Sequence, residues 1–291
     1  MLVNICMITY NHQQYIRQSI EAVLSQVTNF DFQLVIGEDN STDCTKEICL
    51  EFAERYPDKI KLITSAINVG MSKNFFRTYK ACEGKYIAFC EGDDYWTDVH
   101  KLQKQIEFLE ANPDYCACFH NVQMKEERTG TLGAERTSES DNWVLHKSLP
   151  KDSFDTNDLL GPWFIPSLSV VFVNYPDFEL PGWFHNSPFG DLPFMLLLSL
   201  RGNFKYLDEV MGVYRIHDSG ATAAHKAYDK IMAMVYIYAS FDIHTNYKFH
   251  EAIRKGVAYE IDRHIPPREI TQPPVAPKIS MLRRLYNRHV K

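Results

Sequence analysis

The 291-residue sequence lacks every glycine-rich phosphate cradle: neither GxGxxG nor GxxxxGK[ST] occurs, which excludes the backbone phosphate sites of dinucleotide-binding folds and P-loop NTPases. CxxC pairs are missing too, which excludes the usual structural zinc site. The seven cysteines are an odd number and read as reduced core thiols of a cytoplasmic protein. Two of them, Cys116 and Cys118, stand two apart in a strand-like run and are expected to share one face. No apolar run approaches bilayer length; Phe194 to Leu198 is hemmed in by Asp191 and Arg201. Met1 to Ile8 carries no basic leader and is interrupted by Asn4, so it is expected to be a buried strand and not a signal peptide. The net charge is only −6, and no Lys/Arg-rich block interleaved with aromatics occurs in the first two hundred residues. A nucleic-acid polymer is therefore not an expected partner.

What is present is an alternation of strands and helices. Leu2 to Ile8, Phe32 to Ile36, Ile60 to Ile63 and Tyr86 to Phe89 are short, apolar and bounded by turn residues. Between and after them, Ile16/Ile20/Val23/Leu24, Ile48/Phe52/Tyr56, Phe75/Phe76/Tyr79 and Leu102/Ile106/Leu109 recur at helical spacing. This pattern predicts an α/β fold with a mostly parallel sheet flanked by helices. A polar stretch from Lys125 to Asn142 predicts a loop or lid. Beyond it, Ser167 to Val173, Phe204 to Leu207 and Val210 to Arg215 are strand-like, and Asp191 to Leu200 is helix-like. From Thr222 the chain has helical periodicity, then the prolines from Pro266 to Pro277. The expected organisation is 1–122, 123–221 and a C-terminal helical extension with a basic tail, 222–291.

In an open α/β sheet ligands bind beyond the carboxyl ends of the strands. Those ends are polar here: Thr9-Tyr10-Asn11-His12, Glu38-Asp39-Asn40-Ser41-Thr42-Asp43 and Glu91-Gly92-Asp93-Asp94. Carboxylates at such a place can hold a divalent metal and bridge it to a diphosphate. The plain alternative for Glu91 to Asp94 is a solvated turn capping the next helix, and Ser41 or Thr42 is expected to cap the second helix.

Taken together, Ile5 to Asn11, Val35 to Asp43, Asn68-Val69-Gly70 and Tyr86 to Trp96 resemble family 2 glycosyltransferases of the GT-A fold, in that family's order and spacing. The resemblance implies a nucleotide pocket of Thr9, Tyr10, Asn11, Asp39, Glu91 and Gly92, with Glu91 and Asp93 at the ends of the DxD motif and Asp93 on the metal. Glu38 and Glu91 depart from the Asp usual at their positions. Phe189 to Phe194 and Val213 to His217 are similar to later segments of the family. They imply Asp191 as catalytic base, with Gly190 in place of the first member of an acidic pair, and His217 as a second metal ligand. First-turn carboxylate and surface-turn histidine are the alternatives. Trp163, Trp183 and Phe184 are core residues or an acceptor platform.

The implied activity is inverting, Mn²⁺- or Mg²⁺-dependent transfer from a nucleotide-sugar, UDP-linked, to a glycan or lipid-linked glycan in bacterial surface glycan synthesis. A nucleotide-sugar-binding module and a nucleotidyltransferase-like enzyme are the rivals. The first would not need Asp191, and the second would need a basic, Gly-rich loop where Thr9 to Gln14 stands. A glycoside hydrolase would leave Thr9 and Asp39 unexplained. Lys278, Arg283, Arg284, Arg288 and Lys291 alternate with Ile279, Met281, Leu282, Leu285 and Tyr286, which suits peripheral contact with the cytoplasmic face of a membrane.

Overall fold

A computed structural model describes residues 1–127, 142–218, 220 and 227–264. Along the chain the elements are β1 (Val3–Thr9), α1 (Ile16–Leu24), β2 (Phe32–Glu38), α2 (Thr45–Arg55), β3 (Ile60–Ile63) and α3 (Met71–Lys80). Then come β4 (Tyr86–Phe89), β5 (Tyr95–Trp96), α4 (Lys101–Ala111), β6 (Tyr115–Glu126), β7 (Asn142–Val144), β8 (Ser153–Phe154) and α5 (Thr156–Leu159). The last are β9 (Val171–Val173), α6 (Asp191–Leu198), β10 (Asn203–Ile216), α7 (Ala227–His244) and α8 (His250–His264). No described helix is long and apolar enough to cross a membrane.

One sheet runs in the order β3-β2-β1-β4-β9-β6-β10-β5, with β7 on β6 and β8 on β10. The first four strands are parallel, and β9 enters antiparallel between β4 and β6. Alternation along β1 explains how the sheet is covered on both faces. Val3, Ile5 and Met7 pack with Ile16, Ile20 and Leu102, while Cys6 packs in the other cluster with Tyr79, Phe172 and Phe194. The expected boundary at 122/123 falls inside β6, so the sheet runs through it.

Several expectations need correction. Cys116 belongs to the cluster of Phe172 and Phe194, and Cys118 to that of Leu102. The cause is a register shift, with Asn203 opposite Tyr115 but Phe204 opposite Ala117, which leaves Cys116 as an extra residue. Phe204 to Leu207 and Val210 to Arg215 are one strand with shifts, because both halves pair with β6. Lys125 and Glu126 continue β6, and Asn142 to Val144 pairs back on it, which narrows the expected loop; its residues 128–141 lie outside those described. Ser167–Ser169 is a 3₁₀ turn preceding β9. Neither Ser41 nor Thr42 caps α2: the helix starts at Thr45, whose N–H donates to Asp43 Oδ1 at 2.9 Å. Phe184 is core, and Trp163 and Trp183 pack on that core. The proline-rich segment and the basic tail lie outside the described residues.

Gly37, near the end of β2, is a point of close approach between α3 and the sheet. A Cβ there would stand 1.9 Å from Thr78 Oγ1 and 2.8 Å from Asn74 Oδ1, and the Asn74 amide donates to the Gly37 carbonyl at 2.8 Å. Gly37→Ala is therefore expected to cost about 1–3 kcal/mol through overpacking. Urea unfolding checks this as a lowered midpoint at unchanged slope.

Candidate active site

Because β1, β2 and β4 are parallel neighbours, their carboxyl ends share one edge of the sheet. Two asparagines turn the chain there with left-handed backbone, Asn11 at φ 56 and Asn40 at φ 57. They are cross-tied: the Asn11 N–H donates to Ser41 Oγ at 3.0 Å, and Asn11 Oδ1 accepts from the Thr42 N–H at 2.8 Å. The buried Glu38 carboxylate accepts from the N–H groups of Asn40 and Ser41, so its extra methylene serves the turn itself. Asp39 is also engaged, accepting from Val69 N–H at 3.0 Å and Gly70 N–H at 2.8 Å, with Arg77 at 3.6 Å.

The acidic turn after β4 is anchored at every residue. The Gly92 N–H donates to Ile8 O, and the Ser19 hydroxyl contacts the carbonyls of Gly92 and Asp94. Glycine is required at 92, since a Cβ would lie 2.6 Å from Thr9 Oγ1, itself buried without a partner. Asp94 is buried, and its Oδ1 accepts from the Arg215 N–H at 2.8 Å. Burial, then Asp93 and Glu91, push the Asp94 carboxyl well above the usual range.

Asp93 Oδ2 faces two imidazoles, His217 Nε2 at 3.2 Å and His12 Nε2 at 3.5 Å. Burial opposes ionisation of Asp93, but His12 and His217 outweigh it and hold the carboxyl below its ordinary value. Burial lowers His12, with Asp93 opposing. Glu91 has one buried oxygen, Oε2, without a partner. Its carboxyl is pushed up to about 7, chiefly by burial, against a hydrogen bond from Ser167 and with Asp93 adding to the rise.

A cavity of about 170 Å³ brings Glu91, Asp93, Asp191 and His217 together. Asp191 opens α6, and burial raises its carboxyl. Much of the remaining wall is apolar, with Met71, Phe75, Phe89 and Phe189. Thr9, Tyr10, Asn11, Asp39 and Gly92 do not line this cavity. Tyr10 is 40% exposed, and the other four build the turns behind it. His12 and Asp94 enter the sequence reading only as members of the polar strand ends, and Arg215 only within Val213 to His217; none is given a role of its own there.

The donor atoms fit a cation completed from outside the protein. Among the described residues no three His, Cys, Asp or Glu side chains form a metal-holding group. Asp93 Oδ2 and His217 Nε2 offer an oxygen and a nitrogen, with the unpartnered Glu91 Oε2 on the same turn. Mg²⁺ and Mn²⁺ suit such a partial set, because Mg²⁺ commonly keeps waters and takes phosphate oxygens, and imidazole suits Mn²⁺.

Residues 4–164 match the sequence model of Glycosyl transferase family 2. An uncharacterized protein of Mycobacterium tuberculosis is 34% identical over 230 residues, 78% of this chain and 61% of its own length. The chain thus spans about three fifths of that relative. An Escherichia coli UDP-Glc:alpha-D-GlcNAc-diphosphoundecaprenol beta-1,3-glucosyltransferase is 35% identical over 111 residues, 38% of this chain and 42% of its own. Among solved structures, TarS of S. aureus with UDP-GlcNAc superposes with TM-score 0.59 at 15% identity, over 90% of this chain and 73% of its own. A mannosyltransferase of Pyrobaculum calidifontis with GDP-Man and Mn²⁺ gives 0.58 at 14%, over 99% and 80%. At these identities the structural likeness is one of fold, and that fold is GT-A.

Glu91 makes a pH dependence testable. Its folded carboxyl binds a proton up to about pH 7, whereas the unfolded one loses it near the ordinary 4.5. Between these values the folded state holds more protons, so its contribution to stability is present below about 4.5 and is lost as pH rises through 7. Glu91→Gln should therefore gain stability over wild type, on the order of 1–3 kcal/mol, at pH 8 and much less at pH 5. Urea melts of both proteins at the two pH values measure the difference.

Proposed function

Because the chain belongs to glycosyl transferase family 2, we propose that it moves a sugar from a UDP-linked donor to a hydroxyl of a glycan or lipid-linked glycan, with inversion, in bacterial surface glycan synthesis. The observation that carries this reading is the shared cavity, in which a carboxylate raised by burial, Asp191, faces the acidic turn. The relatives are consistent with it, since TarS was solved with UDP-GlcNAc and the E. coli protein is named for a UDP-Glc donor and a diphosphoundecaprenol acceptor.

In this reading Asp191 accepts the proton of the acceptor hydroxyl as its oxygen bonds to the anomeric carbon. The bond from that carbon to the diphosphate oxygen breaks, and the nucleoside diphosphate leaves with the electron pair. Burial raises the Asp191 carboxyl above its ordinary value, which makes its carboxylate a stronger base than that of an exposed aspartate. Asp93 and His217 would hold the Mn²⁺ or Mg²⁺, which supplies charge neutralisation for the leaving diphosphate when bound. Phe75, Phe89 and Phe189 exclude water from the same space. Thr9, Tyr10, Asn11, Asp39, Glu91 and Gly92 are assigned to the nucleotide side, Asn11, Asp39 and Gly92 through the turns they hold. The divisions at 122/123 and 221/222 are then donor half, acceptor half and extension of one sheet-centred unit.

Asp191→Asn should lower turnover by about 10² or more and leave nucleotide affinity nearly unchanged, because the lost interaction belongs to the transition state. Near-normal turnover of this variant would overturn the base assignment. Asp93→Ala should abolish cation-dependent UDP binding, read by calorimetry with Mn²⁺ and with EDTA; wild-type affinity would remove Asp93 from the cation. The tail at 278–291 is proposed to rest on anionic lipid. A chain cut after Pro277 should then float less with anionic liposomes than the full chain, and equal flotation would rule the contact out.

A further inference from the structure

Arg215 stands two residues before His217 on β10, and its side chain is 2% exposed. Its main-chain N–H donates to Asp94 Oδ1 at 2.8 Å. In the guanidinium, Nη1 donates to the main-chain carbonyl of Asp93, and Nη2 to Oε1 of Gln18 on α1. The group lies 4.3 Å from the ring centre of Tyr95 and 5.0 Å from that of Tyr15, and Nε is 3.5 Å from Glu127 Oε1. One buried cation thereby joins the acidic turn, α1 and the far end of β6.

The direction of the grip matters. The guanidinium holds the Asp93 main chain, while the Asp93 carboxylate faces the imidazoles of His12 and His217. Arg215 and His217 both lie against the ring of Tyr15, the guanidinium 5.0 Å and the imidazole centre 4.6 Å from the ring centre. The turn that carries Asp93 is therefore bolted to the end of β10, two residues before the imidazole of His217. A planar fork with donors fixed in several directions can do this, and an ammonium on a flexible stem cannot.

We propose that Arg215 is a positioning residue for the site of the divalent cation and diphosphate: it sets the 3.2 Å separation of Asp93 Oδ2 and His217 Nε2 before any ligand arrives. It acts through those two residues. The inference rests on the donor reading given above and goes beyond it by separating the residue that builds the cation site from those that would touch the cation. A counter-charge role makes the opposite forecast, because a lysine would replace it without loss.

The test is Mn²⁺ binding to the full chain, followed by electron paramagnetic resonance with and without UDP, for wild type, Arg215→Lys and Gln18→Ala. Arg215→Lys keeps the charge and loses the fork, and should weaken Mn²⁺ binding about 10- to 100-fold, the range for loss of an outer-shell partner. Gln18 is exposed, so Gln18→Ala should keep the wild-type melting temperature. It should still weaken Mn²⁺ binding by more than about twofold, since one of the guanidinium's ties is gone. Affinities of both variants within twofold of wild type overturn the proposal. Should Arg215→Lys fail to fold, Gln18→Ala decides by the same criterion. Wild type that binds Mn²⁺ but not UDP counts against the donor reading while the Mn²⁺ series still tests Arg215; wild type that binds no Mn²⁺ overturns the proposal outright.

Discussion

Three carboxylates within four residues, packed into one turn at the edge of a sheet, are the constraint on which the rest of this structure depends. Removing such groups from water costs several kcal/mol each unless partners replace the solvent. The compensations come from all sides: the Ser19 hydroxyl on the turn's carbonyls, Arg215 on Asp93 and Asp94, and two imidazoles on the Asp93 carboxylate. Asp94, Asp93 and Glu91 part company as a result. Asp94 is a strut whose carboxyl is pushed well up by burial, Asp93 is pulled below its ordinary value by the imidazoles, and Glu91 sits between them with one unpartnered oxygen.

The same pattern of partial compensation continues behind the turn. Lys101, the first residue of α4, is fully buried with no hydrogen-bond partner, and its ammonium lies 3.8 Å from the ring centre of Trp96. Burial lowers its pKa to about 7, with Cys90, Cys118 and Glu91 opposing. An ammonium over an indole face recovers part of its lost hydration through the ring quadrupole. The acidic turn thus has cationic groups on both the strand and the helix that flank it, although only Arg215 touches it.

Much of the fold was legible in the sequence because its signals are local. The strands at Ile60 to Ile63 and Tyr86 to Phe89 stand where their apolar runs and turn residues put them, and Ile16, Ile20 and Val23 form the buried stripe of α1 that their spacing implied. The site was legible in part. The cavity that joins Glu91, Asp93, Asp191 and His217 unites residues named from sequence, while Asn11 and Asp39 tie the adjoining turns and do not line it. What could not be read was long-range. Arg215 and Asp93 are 122 residues apart, and nothing in the neighbours of Arg215 reports which carbonyl its guanidinium will meet. The extra residue at Cys116 was equally hidden, because a bulge is defined by the register of a partner strand some ninety residues later.

That long separation also gives the site a history in time. Asp93 and the residues that stabilise it, Arg215 and His217, are brought together across 122 and 124 residues of chain. A ribosome adding about 5–20 residues per second leaves roughly 6–25 s in which the first half of the sheet has emerged and its acidic turn has no cation from β10. Until β10 pairs alongside β6, hydration by water is the cheaper state for those carboxylates, so the emerging turn stays open and wet. The cavity is accordingly completed only once β10 has emerged, and a nascent chain that stalls before Arg215 has β1, β2 and β4 but neither Arg215 nor His217 beside the acidic turn.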